Sequence, residues 1–263
     1  MICQHNQRDI LARMNLRQCD LIRLGLIDYQ LAWDLQASLA EQIGRGERPP
    51  TLLLLEHPHT YTFGRRAKAE NLLWDQAELA RRDIAVHWVD RGGDVTYHGP
   101  GQLVGYPLLP LGKPGLRDDP ESGHIPQADY VGYLRQLERM LLSTLANFGV
   151  LGKQQPGMTG VWILPDEAAE QVGSSQTTKS RPRKIASIGV KVDAHGISRH
   201  GFSLNVNPDM SYWDGIIACG LDGFAETSLV EMLSSPPAME SVIDNLIGSF
   251  GEEFNYRMQR KPL

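Results

Sequence analysis

Three positions in this chain of 263 residues carry reactive side chains in settings that could use them. Cys219 sits in IIACGL, after two isoleucines and directly before Gly220. It is either a small buried hydrophobe or a nucleophile, with Gly220 leaving the following backbone N–H groups open to hold an oxyanion. Lys184 opens RKIASIGVKV. A strand there puts Lys184 on one face with Ala186, Ile188, Val190 and Val192, and turns Lys191 the other way. Burial disfavours an ammonium, so a lysine on an apolar face can act as a base near neutral pH. A strand-end lysine that reaches solvent is the plainer alternative. The third setting is RGGDVTYHGPGQLVGYPLL, Arg91 to Leu109, with five glycines in nineteen residues. It has neither the Gly-Lys-Ser/Thr of a phosphate loop nor a GxGxxG dinucleotide fingerprint. Gly92 and Gly93 would let a ligand lie against bare backbone. His98 precedes a rigid Gly-Pro-Gly-Gln turn, where it is either a hairpin's structural histidine or part of a pocket wall.

The elements that must position these residues alternate between the two regular periods. Asp20 to Ile27 reads as a strand, and Asp28 as the cap of a helix whose Leu31, Leu35, Leu39 and Ile43 make one face. Thr51 to Glu56, TLLLLE, suits a strand covered on both faces. Ile84 to Val89, Gly101 to Leu109, Gly160 to Leu164, Lys184 to Val192 and Gly201 to Asn207 read as further strands. Asp129 to Phe148 is helical by its three- and four-residue apolar steps. Ser228 and Glu231 have capping-box spacing, and Met239 to Phe250 closes the chain with an amphipathic helix. One polar excursion, Pro165 to Arg183, separates two strands, as a lid or a flexible loop would. The expected architecture is α/β (α+β): a mixed sheet flanked by helices in one domain over 20–263, behind a polar extension at 1–19.

Composition narrows the function. The hydrophobic share of 41% supports a large core, and a net charge of −5 gives no overall attraction for nucleic acid or an anionic membrane. No stretch resembles a signal peptide or a membrane span, so a cytoplasmic protein is expected. Cys3, Cys19 and Cys219 form no CxxC pair or zinc spacing, so no disulfide framework, metal or cofactor is expected.

Taken together, EHPHTYTFGR (Glu56 to Arg65), RGGDVTYHGPGQLVGYPLL, KIASIGVKV, HGFSLNVN (His200 to Asn207) and Cys219-Gly220, in that order, resemble the octanoyltransferases of lipoate biosynthesis. The resemblance covers roughly residues 20 to 235 and implies the fold of the biotin and lipoate protein ligases. It implies octanoyl acyl carrier protein as donor, and lysines of lipoyl domains or of the glycine-cleavage H protein as acceptors. By the same resemblance Cys219 is the acyl-thioester nucleophile and Lys184 the group that favours its thiolate. Substrate-binding positions would be Arg91, Gly92, Gly93, Asp94, Val95, Thr96, Tyr97 and His98, then Ser187, Ile188 and Gly189, then Gly201, Phe202 and Ser203. The chain departs from the family at Ala218, where a proline is usual, and in the length of the excursion. Three rival readings are an ATP-dependent lipoate or biotin ligase, a cysteine hydrolase using Cys219 and His98, and a binding module without catalysis.

Overall fold

The computed structural model describes residues 16–112, 129–165, 181–218 and 225–263. Their elements, in chain order, are β1 (Arg17–Leu26), α1 (Tyr29–Gly44), β2 (Thr51–Glu56), β3 (Thr60–Phe63), α2 (Gln76–Arg81), β4 (Ala85–Trp88), β5 (Val95–His98), β6 (Gln102–Leu108), α3 (Tyr130–Ala146), β7 (Lys153–Gln155), β8 (Met158–Ile163), β9 (Arg183–Val192), β10 (Ser198–Asn205), β11 (Ala225–Glu226), α4 (Leu229–Met232), α5 (Met239–Glu253) and β12 (Tyr256–Arg260). A nine-stranded mixed sheet runs β12-β1-β2-β6-β10-β9-β8-β7, with β11 beside β9. A small three-stranded sheet, β4-β3-β5, stands next to it.

The run TLLLLE shows why the large sheet is covered on both faces. Leu52 and Leu54 enter one core with α3 and α5, while Leu53 and Leu55 enter a second core with α1. Alternate side chains on a strand point opposite ways, so a continuous apolar run requires two apolar layers. The Asp28 cap forms as expected, accepting the Leu31 N–H at 3.1 Å.

Four expectations are corrected. The buried face of α1 is Tyr29, Ala32, Gln36, Leu39, Ala40 and Ile43, and Leu31 is 62% exposed. A strict four-residue step drifts about 40° per turn around a helix of 3.6 residues, so Leu31 leaves the face on which Leu35, Leu39 and Ile43 pack. β1 begins at Arg17, three residues ahead of the expected strand, because it pairs in parallel with β12 from that residue onward. Val95 to His98, inside the glycine stretch, is strand β5, held by β3. The Ser228–Glu231 capping box does not form: Ser228 makes no side-chain cap, and Glu231 instead accepts the Thr227 hydroxyl at 2.9 Å. Among the described residues no helix is long and apolar enough to cross a membrane.

Candidate active site

Two adjoining cavities lie where the small sheet meets β9 and β10, one with about 60 Å³ of free space and the other with about 480 Å³. Gly93, Asp94, Lys184, Ile188 and Gly189 line both. Arg91, Val95, Thr96, His98, Ser187, Gly201, Phe202 and Ser203 line the first, and Gly92 lines the second. Tyr97 lines neither. It points to the other side of β5, where its hydroxyl meets His59 Nδ1 at 2.8 Å and its ring packs on Tyr212. The period of two along β5 explains this, because Thr96 and His98 face the cavity and Tyr97 cannot.

The glycine loop is bound down on both sides. Gly92 N–H donates to Val190 O at 2.9 Å, which ties the loop to β9. Arg66 N–H donates to Gly93 O at 3.1 Å. Gly93 has φ +89°, a conformation suited to glycine. Arg91 is a buried clamp: its Nη2 donates to Thr62 O at 2.5 Å and Thr62 Oγ1 at 2.9 Å, and its Nη1 to Gly92 O at 3.0 Å. Asp94 accepts both Asn71 Nδ2 contacts at 3.0 Å and the Val95 N–H at 2.6 Å.

From Arg91 the hydrogen bonds run in one direction. Thr62 Oγ1 stands 3.4 Å from His98 Nε2. His98 Nδ1 donates to Gln102 Oε1 at 2.7 Å, and Gln102 Nε2 donates to Asn205 Oδ1 at 2.8 Å. Asn205 Nδ2 donates to Thr227 O at 2.9 Å, and Thr227 N–H to Lys184 O at 2.8 Å. Since Gln102 Oε1 can only accept, the His98 proton sits on Nδ1. Burial holds His98 well below its ordinary pKa, with the nearby His57 working in the same direction. His98 is therefore neutral at physiological pH, which fits a wall and not a general acid. The sequence reading missed Gln102, Asn205 and Thr227. Gln102 opens β6 and Asn205 ends β10, polar residues at the ends of largely apolar strands, while Thr227 joins through its backbone; the pairing of residues 103 apart lies beyond any local pattern.

Tyr29, Tyr106 and His200 also line the first cavity and were not expected there. Tyr106 and His57 bond at 2.7 Å through the hydroxyl and Nε2. His200 has φ +56°, and two contacts hold it in that uncommon conformation. Its N–H donates to Gln36 Oε1 at 2.7 Å, and its Nε2 meets Asp90 Oδ1 at 2.7 Å. Burial would raise the pKa of Asp90, but hydrogen bonds from His200 and Lys191 hold it well below the ordinary carboxylate range.

Lys184 is 4% exposed, on the face of β9 that the alternation predicts. Its Nζ lies 4.9 Å from the centre of the Trp162 ring, a cation–π distance. Cys219 and Gly220 lie outside the described residues, within 219–224. The residues on either side of that segment are described. Ile217 N–H donates to Asn71 O at 2.9 Å, and Asn71 holds the cavity-lining Asp94. On the far side, Ala225 pairs with Arg183 and Glu226 with Lys184. The six residues that include Cys219 thus connect two walls of one site.

The lipoyl protein ligase A/B catalytic domain matches residues 28–251. The octanoyltransferase of Chloroflexus aurantiacus (strain ATCC 29366) is 42% identical over 231 residues, covering 88% of this chain and 92% of that one. This chain belongs to the octanoyltransferase family. The octanoyltransferase of Acidobacterium capsulatum is likewise 42% identical over 241 residues, 91% of each chain. Among solved structures, a bi-partite lipoate protein ligase from Thermoplasma acidophilum superposes with a TM-score of 0.65 at 16% identity, over 94% of this chain and 88% of that one. A lipoate-protein ligase A bound with ATP gives 0.62 at 15%, over 94% and 89%. At such identities the likeness shows the octanoyltransferase's fold, a mixed sheet flanked by helices.

Proposed function

We propose that this octanoyltransferase carries its octanoyl group on Cys219, taking it from octanoyl acyl carrier protein and passing it to a lysine of a lipoyl domain or of the glycine-cleavage H protein. The observation that carries this reading is the anchoring of the Cys219 segment. One side is tied through Asn71 to Asp94, and the other is paired with Lys184.

In the first half-reaction the Cys219 thiol gives up its proton with the help of Lys184. The thiolate attacks the octanoyl thioester, the bond to the carrier's thiol breaks, and that thiol leaves with a proton. Arg91, Gly92 and Gly93 hold the floor against which the thioester lies. Ile188, Phe202 and Tyr106 offer apolar and aromatic surface to the acyl chain. In the second half the acceptor amine attacks the Cys219 thioester, an amide forms, and the amine's proton goes to the departing sulfur. A thioester is converted to an amide, which is downhill, so no ATP is needed. A ligase would instead adenylate a free acid and would not need Cys219, and a hydrolase would deliver the acyl group to water.

The test is intact-mass measurement after mixing the protein with octanoyl acyl carrier protein, without ATP. One octanoyl group should appear on the wild type, be absent from Cys219→Ala, and be chased onto an added lipoyl domain. An ATP requirement, release as free octanoate only, or an adduct that persists in Cys219→Ala would overturn the reading.

A further inference from the structure

β9 and β10 give the first cavity a floor without bulk. Their register sets Ser187 beside Ser203 and Gly189 beside Gly201, and all four residues line that cavity. The period of two puts them on one face of the sheet. Along the strands this floor is closed at both ends. In one direction the next pair on the face, Lys191 and Arg199, holds the carboxylate of Asp90. In the other, Asn205 follows Ser203 and accepts from Gln102 Nε2 at 2.8 Å. Across the strands, Gly189 and Gly201 put no side chain in the way until β6. Phe202 pairs with Gly105, so one residue further along each strand Tyr106 stands beside Gly201. A side chain on Gly201 would meet Gly105 O and Pro107 Cδ, the atoms that flank Tyr106.

Tyr106 also lines the cavity, is 3% exposed, and is held in place from several sides. Its hydroxyl meets His57 Nε2 at 2.7 Å, and His57 Nδ1 meets Ile27 O at 2.8 Å. A carbonyl only accepts, so Nδ1 carries the His57 proton and the tyrosine hydroxyl donates to Nε2. The Tyr106 ring is flanked by those of His57 and His200, at centroid distances of 5.9 Å and 6.4 Å.

We propose that Tyr106 is the end wall that sets the length of the acyl chain. The chain starts at the glycine loop, which Gly92 ties to Val190 of β9, crosses Gly189 and Gly201, and stops against the Tyr106 ring. The proposal rests on the reading that the acyl chain lies in the first cavity. Neighbouring strands are about 4.8 Å apart, so the two steps from β9 to β6 span about 10 Å. An extended chain of eight carbons is about 9 Å long, from zigzag C–C bonds near 1.5 Å. The free space of about 60 Å³ holds about five waters in a row, which makes it a slot for one chain. Because the wall is a ring fixed by a buried hydrogen bond, it has little freedom to retreat before a longer chain.

The experiment offers the protein an equimolar mixture of small acyl thioesters of six, eight, ten and twelve carbons. It reads by mass which acyl groups reach the lysine of an added lipoyl domain, in the wild type, Tyr106→Phe, Tyr106→Ala, Tyr106→Leu and Ser203→Leu. The wild type should favour octanoyl. Tyr106→Phe keeps the ring and should keep that preference. Tyr106→Ala and Tyr106→Leu remove the wall, and the ratio of dodecanoyl to octanoyl product should rise at least about tenfold, the discrimination a pocket makes against surplus methylenes. Leucine fills more of the vacated space, so Tyr106→Leu decides the matter where the alanine variant does not fold. Ser203→Leu obstructs the floor and should cut octanoyl transfer at least about tenfold. Ratios that stay at the wild-type value in both Tyr106→Ala and Tyr106→Leu, including an equal loss at every length, would overturn the proposal. So would a Tyr106→Phe profile that matches alanine. If the ratios stay and Ser203→Leu still blocks transfer, the chain lies in the first cavity and another group measures it. If Ser203→Leu also transfers octanoyl at the wild-type rate, the first cavity does not hold the chain and the reading beneath the proposal falls as well.

Discussion

The two sides of the cavity solve opposite problems with similar materials. On one side, Arg91, Thr62, His98, Gln102, Asn205 and Thr227 form a chain in which each member gives a hydrogen bond to the next. Every group along it is neutral except Arg91, which is spent on the backbone of β3 and the glycine loop. On the other side, Lys184 lies between an aromatic ring and a carboxyl whose buried oxygen has no donor among the described residues. Hydrogen-bonded polar chains rigidify, while buried ionisable side chains beside a cavity are where chemistry is usually placed. On the proposed reading the first side positions and the second reacts. The carbonyl of Lys184 is where the two meet.

Substitution should separate these roles, most strongly at Lys184. Lys184→Ala should slow acyl-enzyme formation by about 100-fold or more, within the range for a lost acid–base group. Lys184→Arg should fail as well, because a guanidinium keeps its charge but does not release a proton. Near-normal turnover in Lys184→Arg would leave only electrostatic assistance on the reacting side. In both variants the unfolding midpoint should move little compared with the rate.

The positioning side should show itself in stability against pH. Burial lowers the pKa of His57 to about 4, the carbonyl of Ile27 and the charge of Asp28 working against the fall. Burial also lowers His98 and His200. Between the ordinary value near 6.5 and about 4, the unfolded chain binds a proton that folded His57 refuses. Stability is therefore full above about pH 6.5 and is lost as pH falls toward 4. His57 alone should remove about 2 kcal/mol by pH 5. Urea titrations at pH 7 and 5 should show this fall, and His57→Gln should make it shallower. An unchanged slope would mean that the histidines are not held neutral.

Gln102→Leu tests the same side more gently. It leaves the His98 N–H and Asn205 Oδ1 buried without their partner, a cost of about 1 to 2 kcal/mol in unfolding free energy. Acyl-enzyme formation should slow by less than about tenfold, because no group that touches the thioester is removed. A hundredfold loss of rate with unchanged stability would place the hydrogen-bonded chain among the reacting groups.

Much of the reacting side was legible in the sequence, and less of the positioning side. Alternation alone put Lys184 on the face of Ile188 and Val190, and the strand formed there because its apolar residues are β-branched and period two. TLLLLE announced two layers for the same reason. Of the small sheet only β4 was read, within Ile84 to Val89; β3 and β5 have four residues each, too few for a period to declare itself. The leucine stripe of α1 held for Leu35, Leu39 and Ile43 and misled at Leu31, because a four-residue repeat drifts around the helix. Tyr97 was placed with its neighbours in the binding stretch, yet a strand must alternate. The link from Gln102 to Asn205 and the register of Glu226 with Lys184 are products of sheet pairing. Register is set by global packing and not by the residues near either partner.

The smallest effect should come from outside both sides, where the donor docks. If the donor is an acidic carrier protein, as proposed, it meets a chain whose net charge is −5, and docking then requires local positive charge. KSRPRK, Lys179 to Lys184, supplies Lys179, Arg181 and Arg183 directly before Lys184, the lysine of the proposed reaction. Lys179 lies outside the described residues, Arg181 is exposed, and Arg183 is partly buried on Met232. Arg181 is thus the described member of this run free to face a partner in solvent. Arg181→Glu should lower the rate with octanoyl acyl carrier protein a few-fold at low salt. The effect should fade near 0.15 M, where exposed charges are screened beyond about 8 Å. A small octanoyl thioester, which has no acidic surface, should react with Arg181→Glu at the wild-type rate. Equal losses with both donors would put Arg181 in the chemistry of the reacting side. A loss independent of salt would show that the residue acts through local structure and not through steering.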